Sequence, residues 1–141
     1  MSNVTTNFLP IKGKWELRPT QMIASVAMAE GAAVYKVGDG THTIVTNATG
    51  NFKGILAEPI AATDADYATS KKLKNVWVPI DYSAEAEFAV GAGTFSTDDI
   101  GKNVKFNDSV GLAVDTTGIQ AEITGFISAT RGLCKFNLVL S

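Results

Sequence analysis

Asp99-Ile100-Gly101-Lys102-Asn103-Val104-Lys105-Phe106-Asn107-Asp108 reads as one β-strand running into a turn. Val104 and Phe106 share a face at a period of two, Asn107-Asp108-Ser109 supplies turn residues, and Gly111-Leu112-Ala113-Val114 forms the returning strand. A weaker copy of the pattern lies upstream: Gly31-Ala32-Ala33-Val34-Tyr35-Lys36-Val37, the turn Gly38-Asp39-Gly40, and a return through Thr41-His42-Thr43-Ile44-Val45. Each hairpin is followed by a Thr-Gly pair (Thr49-Gly50, Thr117-Gly118) and then by a Gly-led apolar strand (Gly54-Ile55-Leu56-Ala57, Gly125-Phe126-Ile127-Ser128). The order of parts is the same both times, so the expectation is two related β-units within one domain.

The flanking sequence extends this reading. Lys71-Lys72-Leu73-Lys74-Asn75-Val76-Trp77-Val78-Pro79-Ile80 alternates, and Pro79, which has no N–H to give to a ladder, predicts an edge or an interruption there. Ala84-Glu85-Ala86-Glu87-Phe88-Ala89-Val90 alternates again, and Gly132 to Ser141 closes the chain as a strand with Cys134, Phe136 and Leu138 on one face. Glu58 to Ser70 is small and polar without a period and reads as a loop or insertion. Thr20 to Glu30 fits a helix by its Ala and Met and a strand by Ile23 and Val26; the strand is preferred because Glu30-Gly31 then turns into the first unit. About eight to ten short strands punctuated by Gly and Asn/Asp predict an all-β fold, a single compact β-barrel or β-sandwich.

Composition agrees. The chain has 141 residues, 45% hydrophobic and 18% charged, with 13 Gly. A chain of this size buries roughly 70% of its unfolded surface, enough for one core without covalent staples. A net charge of −2 offers no concentrated basic patch for nucleic acid or an anionic membrane surface. With one cysteine, Cys134, no intramolecular disulfide or thiolate zinc cluster can form. Met1-Ser2-Asn3-Val4-Thr5-Thr6 lacks a basic and an apolar secretory region, and no apolar run approaches the ~18 residues of a membrane span. Synthesis in a cytoplasm-like compartment is expected, which makes the Asn-X-Ser/Thr triplets chance matches.

Catalytic patterns are missing. His42 is the one histidine and reads as an exposed strand residue rather than a metal ligand or triad member. Glu85 and Glu87 read as solvated outer positions of a strand, and Asp64/Asp66 and Asp98/Asp99 as turn residues rather than glycosidase carboxylates. Gly38-Asp39-Gly40 lacks the further acids of a calcium loop. Lys71-Lys72-Leu73-Lys74 reads as a solvated strand start. No enzyme activity, no cofactor and no small-molecule substrate is expected.

The recurring order in Gly31–Ala57 and Gly101–Ser128, with Phe52-Lys53-Gly54-Ile55-Leu56-Ala57-Glu58-Pro59 and Gly111-Leu112-Ala113-Val114-Asp115-Thr116-Thr117, resembles the small β-barrel capsid decoration proteins of tailed bacteriophages. The resemblance implies a non-enzymatic protein on the outer surface of the virion capsid. It would be made in the host cytoplasm, bind the major capsid protein, associate with itself, often as a trimer, and strengthen the shell. Two other readings stay open on the residues: another virion structural subunit (head-fibre base, tail-tube or head-closure protein), and a carbohydrate-binding or adhesin module using Trp15, Trp77 and Tyr82 as stacking faces.

Residues 1–20 differ from the rest. Pro10 and Pro19 hold the backbone extended, and Phe8, Leu9, Ile11, Trp15 and Leu17 are large apolar groups without periodicity. The expected division is an extended N-terminal arm over 1–20 and a β-barrel or β-sandwich domain over 21–141. Each buried apolar side chain contributes roughly 1.5–3 kcal/mol, so Phe8, Leu9, Pro10, Ile11, Trp15 and Leu17 are the candidate partner-binding residues. Two placements satisfy them: against a capsid or neighbouring subunit, with strand addition as one mode, or folded back as a first strand on the chain's own barrel.

Overall fold

The computed structural model describes residues 7–38, 40–45, 52–81, 83–118 and 120–136. The fold is all-β. Strands β1 (Leu9–Lys12), β2 (Trp15–Met22), β3 (Ala33–Lys36), β4 (His42–Ile44), β5 (Gly54–Leu56) and β6 (Lys72–Pro79) lie in the N-terminal part. Strands β7 (Glu85–Ala92), β8 (Asn103–Asp108), β9 (Gly111–Thr117), β10 (Ala121–Ser128) and β11 (Arg131–Phe136) follow, with a 3-10 turn at Thr97–Asp99 between β7 and β8.

Two rings of strands with one topology are built from these elements. The first is a closed barrel in the order β2-β4-β3-β5-β6. In the second, the sheet β1-β7-β11-β10-β8-β9 is closed by an additional β7–β9 pairing, leaving β1 attached outside the ring. Starting from their first strands, both rings run first, third, second, fourth, fifth. In both, the first and third strands are parallel (Met22 beside His42; Val90 beside Leu112) and the other pairs are antiparallel. The hairpins singled out in the sequence are β3/β4 and β8/β9, the equivalent second and third strands. Thr117-Gly118 joins β9 to β10, whereas Thr49-Gly50 lies outside the described residues. Closing a ring removes sheet edges, the usual liability of short strands.

The rings share one core. Ala33, Val45, Phe52 and Ile55 of the first unit pack with Ala86, Phe88, Val104, Phe106, Leu112, Ile123, Cys134 and Phe136 of the second. Four phenylalanines tie the two together: Phe8 meets Phe106 and Phe136 edge-on at 5.7 and 5.2 Å, and Phe52 stacks on Phe136. A smaller cluster, Met22, Met28, Val34, Leu56, Ile60, Val76 and Val78, fills the first barrel. Cys134 lies in the shared core, where burial pushes its thiol pKa far up and leaves it a small hydrophobe.

Several local expectations are revised. The strand expected over Thr20 to Glu30 ends at Met22, because Ser25 adopts φ 59° and its N–H turns to the Tyr67 carbonyl, 2.8 Å away. Glu58 to Ser70 is the expected insertion, touching the barrel through the Met28–Ile60 bridge. Lys72 is buried: its ammonium donates to the carbonyls of Ile23 at 2.8 Å and Tyr67 at 3.0 Å, closing one end of the first barrel beneath the insertion. His42 is buried as well, because the parallel β2–β4 pairing brings the backbone of Gln21 against its ring. Glu85 and Glu87 are half-buried rather than solvated, since Glu85 accepts from Thr124 at 2.7 Å and Glu87 binds the Arg131 guanidinium at 2.7 Å. Pro79 ends β6 opposite Trp15, and its missing donor costs the ladder nothing beyond that point.

Candidate partner-binding groove

β1 is attached to the second ring and β2 belongs to the first, and the chain crosses between them at Gly13. The local sequence requires that residue: φ is +77°, and a Cβ here would overlap the Ser83 carbonyl. The return crossing, from β6 to β7, runs alongside. The Ile80 N–H donates to the Lys14 carbonyl at 2.9 Å, and the Lys14 N–H to Ser83 Oγ at 3.3 Å. Two chain crossings side by side leave a seam between the rings.

A groove with a volume of about 260 Å³ opens on that seam, lined by Leu9, Pro10, Ile11, Gly13, Trp15 and Trp77. The two indoles give it shape. Trp15 Nε1 donates to the Lys12 carbonyl at 2.9 Å, fixing the ring over the turn that joins β1 to β2. Trp77 sits on β6 between Ile55 of β5 and Leu17 of β2, and both tryptophans are half-buried against the shared core. None of the lining side chains is charged, so the groove offers apolar and aromatic contact and two rigid rings of low conformational cost.

The six candidate residues separate into three groups. Leu9, Pro10, Ile11 and Trp15 come together in the groove, with Ile11 42% exposed. Phe8 is 1% exposed and lies in the core of its own chain. Leu17 is 43% exposed on β2, opposite Trp77, beside the groove without lining it. Residues 9–12 and 15–22 are therefore strands of the two sheets, the folded-back placement of the two that the sequence allowed; β2 runs continuously past residue 20. Residues 1–6 lie outside the described residues.

Trp77 and Gly13 are the groove residues the partner-binding expectation did not include. Trp77 carried a signal, an exposed-register tryptophan in an alternating strand. Gly13 carried none beyond its place between two extended stretches.

Strand addition at β1 is disfavoured by the backbone. β1 is the terminal strand of its sheet, but Pro10 has no N–H, the register is broken between Pro10 and Lys12, and the Lys12 carbonyl is taken by Trp15. Such features blunt an edge. Side chains, rather than main-chain ladders, are what this surface presents.

Among the described residues no group of His, Cys, Asp and Glu is arranged to hold a metal ion, and no helix is long and apolar enough to cross a membrane. No protein-family profile matches the chain, and no curated protein matches it.

Proposed function

We propose that the chain is a non-enzymatic structural subunit that docks on the outer surface of a tailed-phage capsid through the Leu9–Trp77 groove and reinforces the shell. The observation that carries this reading is the groove itself: four of the six apolar residues expected to bind a partner, Trp15 among them, converge there with the indole of Trp77. The duplicated barrel supports a passive role, because its strands fill their interiors with side chains. The choice of a capsid, with the major capsid protein as partner and a trimer as the bound form, rests on the resemblance of Gly31–Ala57 and Gly101–Ser128 to decoration proteins.

Co-sedimentation with heads of the cognate phage tests it. Wild-type protein should pellet with heads that lack it, in many copies spread over the shell. An Ile11→Ser/Trp15→Ala variant, shown folded by circular dichroism, should stay in the supernatant. Failure of the wild-type protein to bind heads would sink the reading. Stoichiometry of a single ring per particle would favour a tail or connector piece instead.

The pairing of Trp15 and Trp77 on one groove favours a second reading, an aromatic platform for a sugar ring. Glycan-array binding that disappears on Trp77→Ala would support it; Tyr82, the third aromatic residue expected to take part, lies outside the described residues.

A further inference from the structure

At the end of the first barrel a second hollow, of about 360 Å³, has Arg18, Gln21, Lys36, His42 and Lys53 in its lining. It shares β2 with the apolar groove but no lining residue. Its charge is one-sided. Arg18 is paired with Glu16, but Lys36 and Lys53 have no ion-pair partner among the described residues. Cations gathered around a concave surface focus a positive potential there even on a chain whose net charge is −2.

His42 adds an independent observation. It is 7% exposed and directly opposite Lys36 in the β3–β4 ladder. Its Nδ1 lies 2.8 Å from the Gln21 carbonyl oxygen, so Nδ1 carries the proton, and Nε2 has no hydrogen-bond partner among the described residues. A buried ring nitrogen without a partner is uncommon in native proteins; this one is an acceptor in the neutral ring and becomes a donor towards an anion only when the ring is protonated, a change that a nearby negative charge favours. Burial is the largest cause holding the His42 pKa down; the Gln21 carbonyl acts in the opposite direction, and Lys53 and Lys36 add to the lowering.

The geometry points to an oxyanion site in this hollow, with the Lys36 and Lys53 ammonium groups as its main donors, the Arg18 guanidinium at its rim and the His42 ring in its wall. The ligand chemistry is a phosphate or carboxylate group, which ammonium and guanidinium donors bind through charge-assisted hydrogen bonds. Two sources could supply it, a free inorganic ion or the side-chain carboxylates of an acidic peptide segment. A bound anion offsets the fields of Lys53 and Lys36 at the imidazole, so occupancy is reported by His42 itself.

Because His42 is the one histidine in the chain, its ring resonances can be followed by NMR in the full-length protein without assignment. Inorganic phosphate and a hexa-aspartate peptide are titrated separately, at ionic strength held constant with chloride. The expected result is a saturable shift of the His42 ring signals and a rise in its pKa with at least one of the two. In Lys36→Ala/Lys53→Ala, checked for an unchanged melting temperature, binding should weaken by about tenfold or more, and Lys36→Arg/Lys53→Arg should restore it. Saturation by both identifies a general oxyanion site; by peptide alone, a site for a partner's acidic segment; by phosphate alone, a small-ion site. Absence of a saturable shift with either, or equal binding by the double alanine variant, overturns the proposal.

Discussion

The ring of Phe52 lies flat on that of Phe136, with centroids 3.9 Å apart and planes 11° from parallel. Phe52 precedes β5 of the first ring and Phe136 ends β11 of the second, so this one contact couples the two units. Phe52→Ala should therefore cost about 3–5 kcal/mol, the range for deleting a buried aromatic ring. Tryptophan fluorescence, which reports Trp15 and Trp77, and far-UV circular dichroism should give one coincident denaturant transition in both proteins. Two separated transitions would show that the rings melt independently, contrary to a shared core.

Phe8 and Ile11 are three residues apart and should behave oppositely. Phe8→Ala opens a cavity among Phe106 and Phe136 and is expected to destabilise by about 3–5 kcal/mol. Ile11→Ser, at an exposed groove position, should stay within about 0.5 kcal/mol of wild type. Deleting residues 1–18 should unfold the protein, since it removes β1 and half of β2. A truncated chain with an unchanged melting temperature would show that these strands do not belong to the domain.

Much of this arrangement could be read from the residues, and the parts that could not share a cause. The two hairpins were legible because Val104/Phe106 and the Gly31–Val37 strand repeat an order of parts, and repetition survives local ambiguity. β1 and β2 were not, because Pro10 and Pro19 erase the periodicity that marks a strand, and the register break at Ile11 and the seam mix buried with exposed side chains. Leu9, Ile11 and Trp15 could be recognised as needing a cover. Their convergence on Trp77, far along the chain, is set by which strands pair, and pairing leaves no local trace. For the same reason the burial of His42 and Lys72 has no signature in the sequence: it follows from ring closure.

Gly13 and Gly38 offer a matched test of the crossing. Gly13→Ala meets both a positive φ and the Ser83 carbonyl, and should destabilise by more than about 1 kcal/mol. Gly38→Ala faces open space and should be close to neutral. Chemical denaturation of the two variants side by side measures the difference; equal midpoints would mean that the crossing tolerates a side chain.

The Lys72 ammonium is held by main-chain carbonyls, so shape without donors should not replace it. Lys72→Met should cost about 1–3 kcal/mol from carbonyls left unsatisfied. Limited proteolysis should then cut within residues 58–70 faster than in wild type. Unchanged stability and cleavage would mean that water satisfies those carbonyls equally well.

His42 predicts a pH dependence. Its pKa in the folded chain lies below the ordinary 6.5, so as pH falls below 6.5 the unfolded chain takes up the proton first. Stability is then full above that value and declines as pH drops through it towards the folded pKa. Melting temperatures in chloride buffers should show this decline in wild type and a flatter profile between pH 7.5 and 5.5 in His42→Gln; parallel profiles would show that His42 does not contribute.

The attachment of β1 to β7 also imposes an order on biosynthesis. β1 can find this partner only after the whole of the first barrel and its insertion have been translated. Until then Phe8 has neither Phe106 nor Phe136 to rest on. During synthesis β1 is thus exposed to chaperones and proteases, and completion of the second ring is the event that withdraws it.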